Sequence, residues 1–469
     1  MADQLERRDF LKIVGAGSAA LALPGCLATG AGRKRKPNII YILADDLGYG
    51  DLGCYGQETI ATPNIDRLAT GGMRFTDHYA GSTVCAPSRC TLLTGLHTGH
   101  CRIRGNARLP LEPDDVTVAE VLKSAGYTTA LIGKWGLGEE ASTGVPNRQG
   151  FDYFFGYLNQ RHAHNYYPEF LFRNEERVQL RNKITKPGKF GEGVAEEKVE
   201  YSHDLFADEA LRFVEAKREE PFFLYLALTI PHANNEARRK GMEVPSHEPY
   251  ADEDWPDAQK GHAAMITRMD TDIGRLLDKL EALGIDEETL VLFSSDNGPH
   301  REGGADPEFF DSNGPLRGIK RDLYEGGIRV PFVARWPGVI EPGSVSGHQS
   351  AFWDVLPTLA DVAGARPPEG LDGISFLPAL RGRDAEQKTH DHLYWEFHER
   401  GSKQAVRLGD WKGVRFVNDD RFELYNLKKD PSETTDLADA HADVVARMSN
   451  ILTTSRTENE HWPLKKKQG

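Results

Sequence analysis

The chain has 469 residues, with 57 lysines and arginines against 71 aspartates and glutamates, a formal charge of −14. Such an acidic chain gains nothing from long-range steering of a polyanion, so nucleic acid is excluded as a partner and an anionic ligand must be held by locally focused cations. Five cysteines in a chain of this length make no disulfide framework, and the length suits two domains, or one large domain with an appendage.

The chain opens on an address. Arg7-Arg8-Asp9-Phe10-Leu11-Lys12 and the Gly/Ala/Leu-rich run after it resemble a twin-arginine export signal, and the run is too short for an ordinary transmembrane helix. Leu23-Pro24-Gly25-Cys26 resembles a lipobox that would place a lipid on Cys26, so residues 1–26 are assigned as signal peptide. Residues 27–36, with Arg33-Lys34-Arg35-Lys36, are assigned as a basic linker, a solvated tether that touches anionic membrane. Residues 37–384 alternate apolar runs with amphipathic helices, which predicts an α/β domain with a largely parallel sheet. Strands are expected at 38–44, 128–132, 222–229 and 289–294, and helices at 65–70, 87–94, 116–125, 204–217 and 263–283. The last carries Met265, Ile266, Met269, Ile273, Leu276, Leu277 and Leu280 at helical spacing, a core stripe. Residues 147–198 read as a long aromatic and basic insertion. Residues 385–469 form a smaller C-terminal α+β domain with short antiparallel strands at 393–397, 404–408, 412–416 and 423–426, ending in a loose tail from 456.

The polar residues that carry chemistry gather at one edge of this pattern. Asp45-Asp46, Lys134, His232 and Asp296-Asn297 each fall at or beyond the C-terminal end of a predicted strand, where open α/β sheets bind ligands. Asp45, Asp46, Asp296 and Asn297 are an all-oxygen set suited to Ca²⁺ or Mg²⁺, and unsuited to zinc. Taken singly, the paired aspartates also fit a helix cap, and Asp296-Asn297-Gly298 a hairpin turn. Cys85 precedes Pro87, which suits the first turn of a helix, so its side chain stands where unpaired N–H groups and the dipole favour an anion. Arg89 lies one turn further on.

Cys85-Ala86-Pro87-Ser88-Arg89 continuing into Leu92-Leu93-Thr94-Gly95, with Gly133-Lys134-Trp135, Pro231-His232, Ser295-Asp296-Asn297-Gly298 and Leu316-Arg317-Gly318-Ile319-Lys320, resembles the formylglycine-dependent sulfatases (type I, arylsulfatase-like) over nearly the whole mature chain. The resemblance implies an alkaline-phosphatase-like fold: a large mixed, mostly parallel sheet sandwiched by helices, with the small C-terminal domain. It implies that Cys85 is oxidised by a maturase to an aldehyde, whose hydrate attacks sulfur through one hydroxyl and expels sulfate through the other. It implies Ca²⁺ held by Asp45, Asp46, Asp296, Asn297 and the modified Cys85, sulfate contacts from Arg89, Lys134 and Lys320, and His232 as general acid. Many members read Gly-Lys-Trp-His, and their histidine helps deprotonate the second hydroxyl; here that position is Gly136. If 161–167 is extended, His162 and His164 point the same way and supply the replacement.

The resulting expectation is an exported sulfuric ester hydrolase, periplasmic or on the cell surface through Cys26, acting on a sulfated carbohydrate, with Tyr166, Tyr167, Trp395 and His398 as candidate sugar contacts. Its partners are the substrate, the maturase and the twin-arginine machinery, and it meets membrane only through the lipid. The alternatives are a phosphodiesterase or phosphonate monoester hydrolase of the same superfamily, and a noncatalytic glycan-binding lipoprotein.

Overall fold

In a computed structural model, residues 35–464 except Arg400 are described. The expected signal peptide, the expected lipobox and most of the expected basic linker lie outside the described residues. Within the linker, Arg35 and Lys36 are not in a free tether: Lys36 donates to Ala125 O and Arg35 pairs with Glu288.

The strands of the catalytic part are β1 (Asn38–Ala44), β2 (Met73–Phe75), β3 (His78–Tyr79), β4 (Thr128–Lys134), β5 (Tyr153–Tyr157), β6 (Phe170–Arg173), β7 (Glu176–Gln179), β8 (Phe222–Ala227), β9 (Thr289–Ser295), β10 (Phe332–Arg335), β11 (Ser344–Ser346) and β12 (Ser350–Ala351). Ten of them form one sheet in the order β11-β2-β10-β9-β1-β8-β4-β5-β6-β7. Its centre, β9-β1-β8-β4-β5, is parallel, while β10, β6 and β7 pair antiparallel with their inner neighbours.

The period of two in β1 explains its place. Ile39, Tyr41 and Leu43 enter the core on one face, and Ile40, Ile42 and Ala44 the core on the other. A strand apolar on both sides can only sit inside a sheet covered by helices. The helices are α1 (Pro63–Thr70), α2 (Cys85–Thr94), α3 (Val118–Ser124), α4 (Ser202–Lys217), α5 (Asp257–Ala282), α6 (Glu325–Ile328), α7 (Val355–Ala363), α8 (Leu377–Leu380) and α9 (Ala442–Thr454). All seven stripe residues of α5 are buried, as the helical spacing requires.

The insertion is more ordered than expected. Its β5, β6 and β7 extend the main sheet, and Gly156, facing Gly133 across the β4–β5 pair, lets the two backbones approach. β13 (Leu393–Phe397), β14 (Lys403–Leu408), β15 (Trp411–Phe416) and β16 (Arg421–Asn426) make the expected antiparallel C-terminal sheet. Alternation again sets its two faces. Ala405 and Trp395 pack with Tyr79, Val84 and Trp353 of the catalytic part, while Val406 and Tyr394 pack with Met448 and Leu452 of α9. The tail is not loose where it is described: Thr457 N–H donates to Gly99 O, Trp462 Nε1 to Arg102 O, and Arg456 is buried against Glu396. An indole and a guanidinium with a carboxylate partner favour docking over solvation.

Candidate active site

Four β strands and one helix deliver the site. β1 ends at Ala44, and the chain turns at Asp46, whose positive φ of 67° sends the two carboxylates forward from the sheet edge. β9 ends beside it, so Asp46 N–H donates to Asp296 Oδ1 at 3.1 Å and Asn297 Nδ2 donates to Asp46 Oδ1 at 2.7 Å. α2 begins at Cys85 after an extended Val84, which offers no capping side chain of its own. Cys85 is 3% exposed, and its thiol donates to Asp45 Oδ1 at 3.3 Å.

The cations interleave with the acids. Arg89 donates from Nε and Nη2 to Asp296 Oδ2 at 3.0 and 2.9 Å, and from Nη1 to Lys134 O. Lys134 Nζ lies 2.6 Å from Asp45 Oδ2, and Lys320 Nζ lies 2.7 Å from Asp46 Oδ2. His232 directs Nε2 at Asp46 Oδ2, 3.6 Å away, while its Nδ1 lies 2.7 Å from Ala233 O. That carbonyl requires the proton on Nδ1 and leaves Nε2 to face Asp46. Tyr166 buttresses the same turn by donating its hydroxyl to His232 O and Thr229 O.

Charge density governs the proton affinities. Burial raises Asp45, but Lys134 and then Arg89 outweigh it and hold the group well below the usual carboxylate range. Asp296 goes the other way: burial and the Asp45 charge, only partly offset by Arg89, push it up to about 7. Burial and Asp45 also push the Cys85 thiol well up, and burial with Lys320 nearby pushes His232 well down.

Asp45, Asp46, Cys85 and His232 present donor atoms within 4.8 Å of one another. Asn297 Oδ1, fully buried, has no hydrogen-bond partner, and it belongs to the same turn. An orphaned amide oxygen beside clustered carboxylates fits a hard dication. Asp296 is linked to this group through Asp46 N–H, but its second oxygen is taken by Arg89, and His232 stands nearer the cluster than sequence reasoning placed it.

The structure thus unites Asp45, Asp46, Cys85, Arg89, Lys134, His232, Asp296, Asn297 and Lys320. It separates His162 from His164. The segment is not extended: His162–His164 is one turn of 3-10 helix, and so the two rings diverge. His162 is 1% exposed, packed on Tyr157 and Phe170, with burial lowering it to about 3; it is a core residue and not a substrate contact. His164 does reach the site, its ring stacked on His232 at 5.0 Å between centroids, with Nδ1 3.3 Å from Glu236 Oε2. Tyr166, Tyr167 and Trp395 are buried, and His398 is held by Glu396, so none of the four is free for sugar.

Sequence reasoning missed Gln160 and Glu302. A Cβ on Gly136, where φ is +82°, would meet Gln160 Nε2 at 2.4 Å, so the Gln160 carboxamide fills the place a side chain at 136 would enter. Glu302 Oε2 lies 3.5 Å from Lys320 Nζ and gives that ammonium a second carboxylate besides Asp46. Neither residue has a local signal, because each acts only across loops that the fold brings together. Cys85, His164, His232, Lys320 and Gln160 line one cavity of about 1010 Å³.

A buried cysteine at a helix start, ringed by carboxylates, lysines and a buried arginine at the carboxyl edge of a parallel sheet, suits a hydrolase of anionic esters. The sulfatase family matches residues 37–365, and the C-terminal domain described for N-sulphoglucosamine sulphohydrolase matches 319–458. The N-acetylgalactosamine-6-O-sulfatase of Bacteroides thetaiotaomicron is 32% identical, over 93% of this chain and 98% of that protein. Human arylsulfatase A is 34% identical, over 88% and 85%. The solved structure of Ps i-CgsB with k-i-k-neocarrahexaose superimposes with a TM-score of 0.76 at 28% identity, over 92% of this chain and 95% of that one. This chain belongs to the sulfatase family: it is a sulfuric ester hydrolase of alkaline-phosphatase-like fold.

Proposed function

We propose that the protein removes sulfate from a sulfated carbohydrate, using a formylglycine made from Cys85 by a maturase and one Ca²⁺. The observation that carries this is the convergence of Cys85, His232 and Lys320 on one cavity, with Lys134 paired to Asp45 and the Asn297 oxygen orphaned in the same cluster. One named relative is an N-acetylgalactosamine-6-O-sulfatase, and Ps i-CgsB is seen with k-i-k-neocarrahexaose, which favours carbohydrate here too.

Formylglycine supplies an oxygen nucleophile in place of sulfur, and the Asp45, Asp46, Asp296 and Asn297 oxygens would hold the dication that draws charge from a sulfate oxygen. Lys134 and Lys320 neutralise the remaining sulfate charge as compact ammoniums, swinging from Asp45 and Asp46. Arg89 keeps Asp296 fixed and so preserves the carboxylate array. His232 gives the leaving alcohol a proton from Nε2, with Ala233 O fixing which nitrogen faces it. His164, steered by Glu236, is the proton acceptor for sulfate release that Gly136 does not provide. Export through the residues 1–26 signal and attachment at Cys26 complete the proposal, supported by the resemblance of Arg7-Arg8 to a twin-arginine signal and of Leu23-Pro24-Gly25-Cys26 to a lipobox.

Mass spectrometry of tryptic peptide 75–89, from protein made beside a maturase, tests the nucleophile. An aldehyde mass is expected at Cys85, and an intact thiol overturns the mechanism. Side-by-side assays of aryl sulfate, phosphodiester and phosphonate ester give the second check: a preference for phosphorus would overturn the sulfate assignment.

A further inference from the structure

The mouth of the cavity carries charge that the chemistry at its floor does not use. Each acidic residue of the wall is engaged: Glu140 with Arg177, Glu399 with Arg321, Glu192 with Phe190 N–H, and Glu139 with Asn159 Nδ2. Three wall cations, Arg108, Arg161 and Lys189, make no ion pair among the described residues. Arg108 and Lys189 gather on one ring, each 5.4 Å from the centroid of Phe190. An aromatic face offsets part of the repulsion between two neighbouring cations, and an anion offsets far more.

Both cations sit on anchored backbone. Two residues before Arg108, Asn106 Oδ1 accepts Ala86 N–H at 3.1 Å, which ties that loop to the first turn of α2 and so to Cys85. The loop of Lys189 is closed by Gly188 N–H to Glu192 O at 2.7 Å, and Asn234 Nδ2 donates to Gly193 O at 3.0 Å. Gly191, at φ +95°, lies against the His162 ring, where a Cβ would come within 2.8 Å. The buried His162 therefore supports the loop that presents Lys189 and Phe190. A cavity of about 1010 Å³ is also larger than one sulfated sugar needs, and it reaches the top of the ordinary range of ligand pockets.

We propose that Arg108 and Lys189, held together on Phe190, form a second anion subsite for a negatively charged group on the sugar beside the one that loses sulfate. The ligand class is an oligosaccharide with at least two anionic groups: the sulfate ester at Cys85, and a sulfate or a carboxylate on its neighbour. The inference rests on the sulfatase reading and adds the substrate's second charge. In a chain of net charge −14, two unpaired cations at the entrance are a local exception that favours such polyanions.

The test uses maturase-treated full-length protein and disaccharides with one cleavable 6-sulfated sugar and a neighbour that is neutral, a uronic acid, or sulfated. The wild type is expected to prefer a charged neighbour in kcat/KM by about ten-fold or more at low salt, with the preference shrinking as salt rises. In Arg108→Ala/Lys189→Ala the ratio of charged to neutral falls toward one, mostly through KM, while Arg108→Lys/Lys189→Arg retains it. The uronate and sulfate arms show which anion the subsite takes. No preference in the wild type, or an unchanged ratio in the alanine pair, overturns the proposal. If matured wild type cleaves no sulfate ester, the sulfatase reading is what fails. The subsite is then decided by calorimetry of the disulfated disaccharide with Cys85→Ala protein: ten-fold weaker binding on adding the alanine pair supports it, and equal binding overturns it.

Discussion

Lys412 is the sharpest place to perturb how the C-terminal sheet is held to the catalytic part. Its Nζ lies 2.8 Å from Glu325 Oε1 and 3.1 Å from Glu433 Oε1, the latter off the line of a good hydrogen bond, and all three side chains are 0% exposed. Burial favours a neutral Glu325, but Lys412 and Arg329 outweigh it and hold Glu325 down at about 2. Burial lifts Glu433 to about 7, opposed by Lys412 and reinforced by Glu325. Lys412→Met leaves two buried carboxylates facing each other, and breaking such a buried pair costs roughly 3–5 kcal/mol. Adding Glu325→Gln should recover about 2 kcal/mol of that. Glu433→Gln tests the other arm. A carboxyl whose folded value is raised from 4.5 to about 7 contributes stability that is full below pH 4.5 and lost as pH rises through about 7. The full loss is about 3–4 kcal/mol by the usual conversion, of which about 2–3 kcal/mol falls between pH 5 and pH 8. Urea unfolding followed by circular dichroism at pH 5 and pH 8 checks both. Relative to wild type, Glu433→Gln should gain about 2–3 kcal/mol between those pH values. Parallel pH curves, or a Lys412→Met no weaker than an exposed-lysine variant, would refute the reasoning.

Three further outcomes are expected. His164→Ala slows single-turnover sulfate release by about 10²-fold or more, whereas His162→Ala lowers unfolding free energy by about 2–4 kcal/mol through the cavity it leaves. Gly136→Ala places a Cβ 2.4 Å from Gln160 Nε2 at φ +82°; stability falls by about 1–2 kcal/mol, and Gln160→Gly relieves the part due to contact, read by a double-mutant cycle. Prolonged chelation lowers the unfolding temperature as well as activity, and added Ca²⁺ restores both. Asp45, Asp46 and Asp296 then repel without a dication, and a protein indifferent to chelator would exclude a resident metal.

The central sheet was legible because its signal is local. Runs such as Ile39-Ile40-Tyr41-Ile42-Leu43 admit one environment, a strand covered on both faces, and such strands leave their polar ends at one edge. The α5 stripe and the four C-terminal strands were legible for the same reason, since period fixes which face is buried. The candidate site residues Asp45, Asp46, Cys85, Arg89, Lys134, His232, Asp296, Asn297 and Lys320, which the fold brings together, could be named from their motifs. What motifs do not carry is direction. His162 and His164 are two residues apart, and only the 3-10 turn decided that one enters the core and the other stacks on His232. Gln160 entering the space at Gly136, Glu302 beside Lys320, and Arg108 meeting Lys189 on Phe190 all join loops distant in sequence. By itself, the sequence determined the alternating elements, the candidate site residues and the edge at which they gather, because these follow from neighbours in the chain. The tertiary structure alone decided which side chains face the cavity and which cations stay unpaired, because burial and charge pairing depend on neighbours in space.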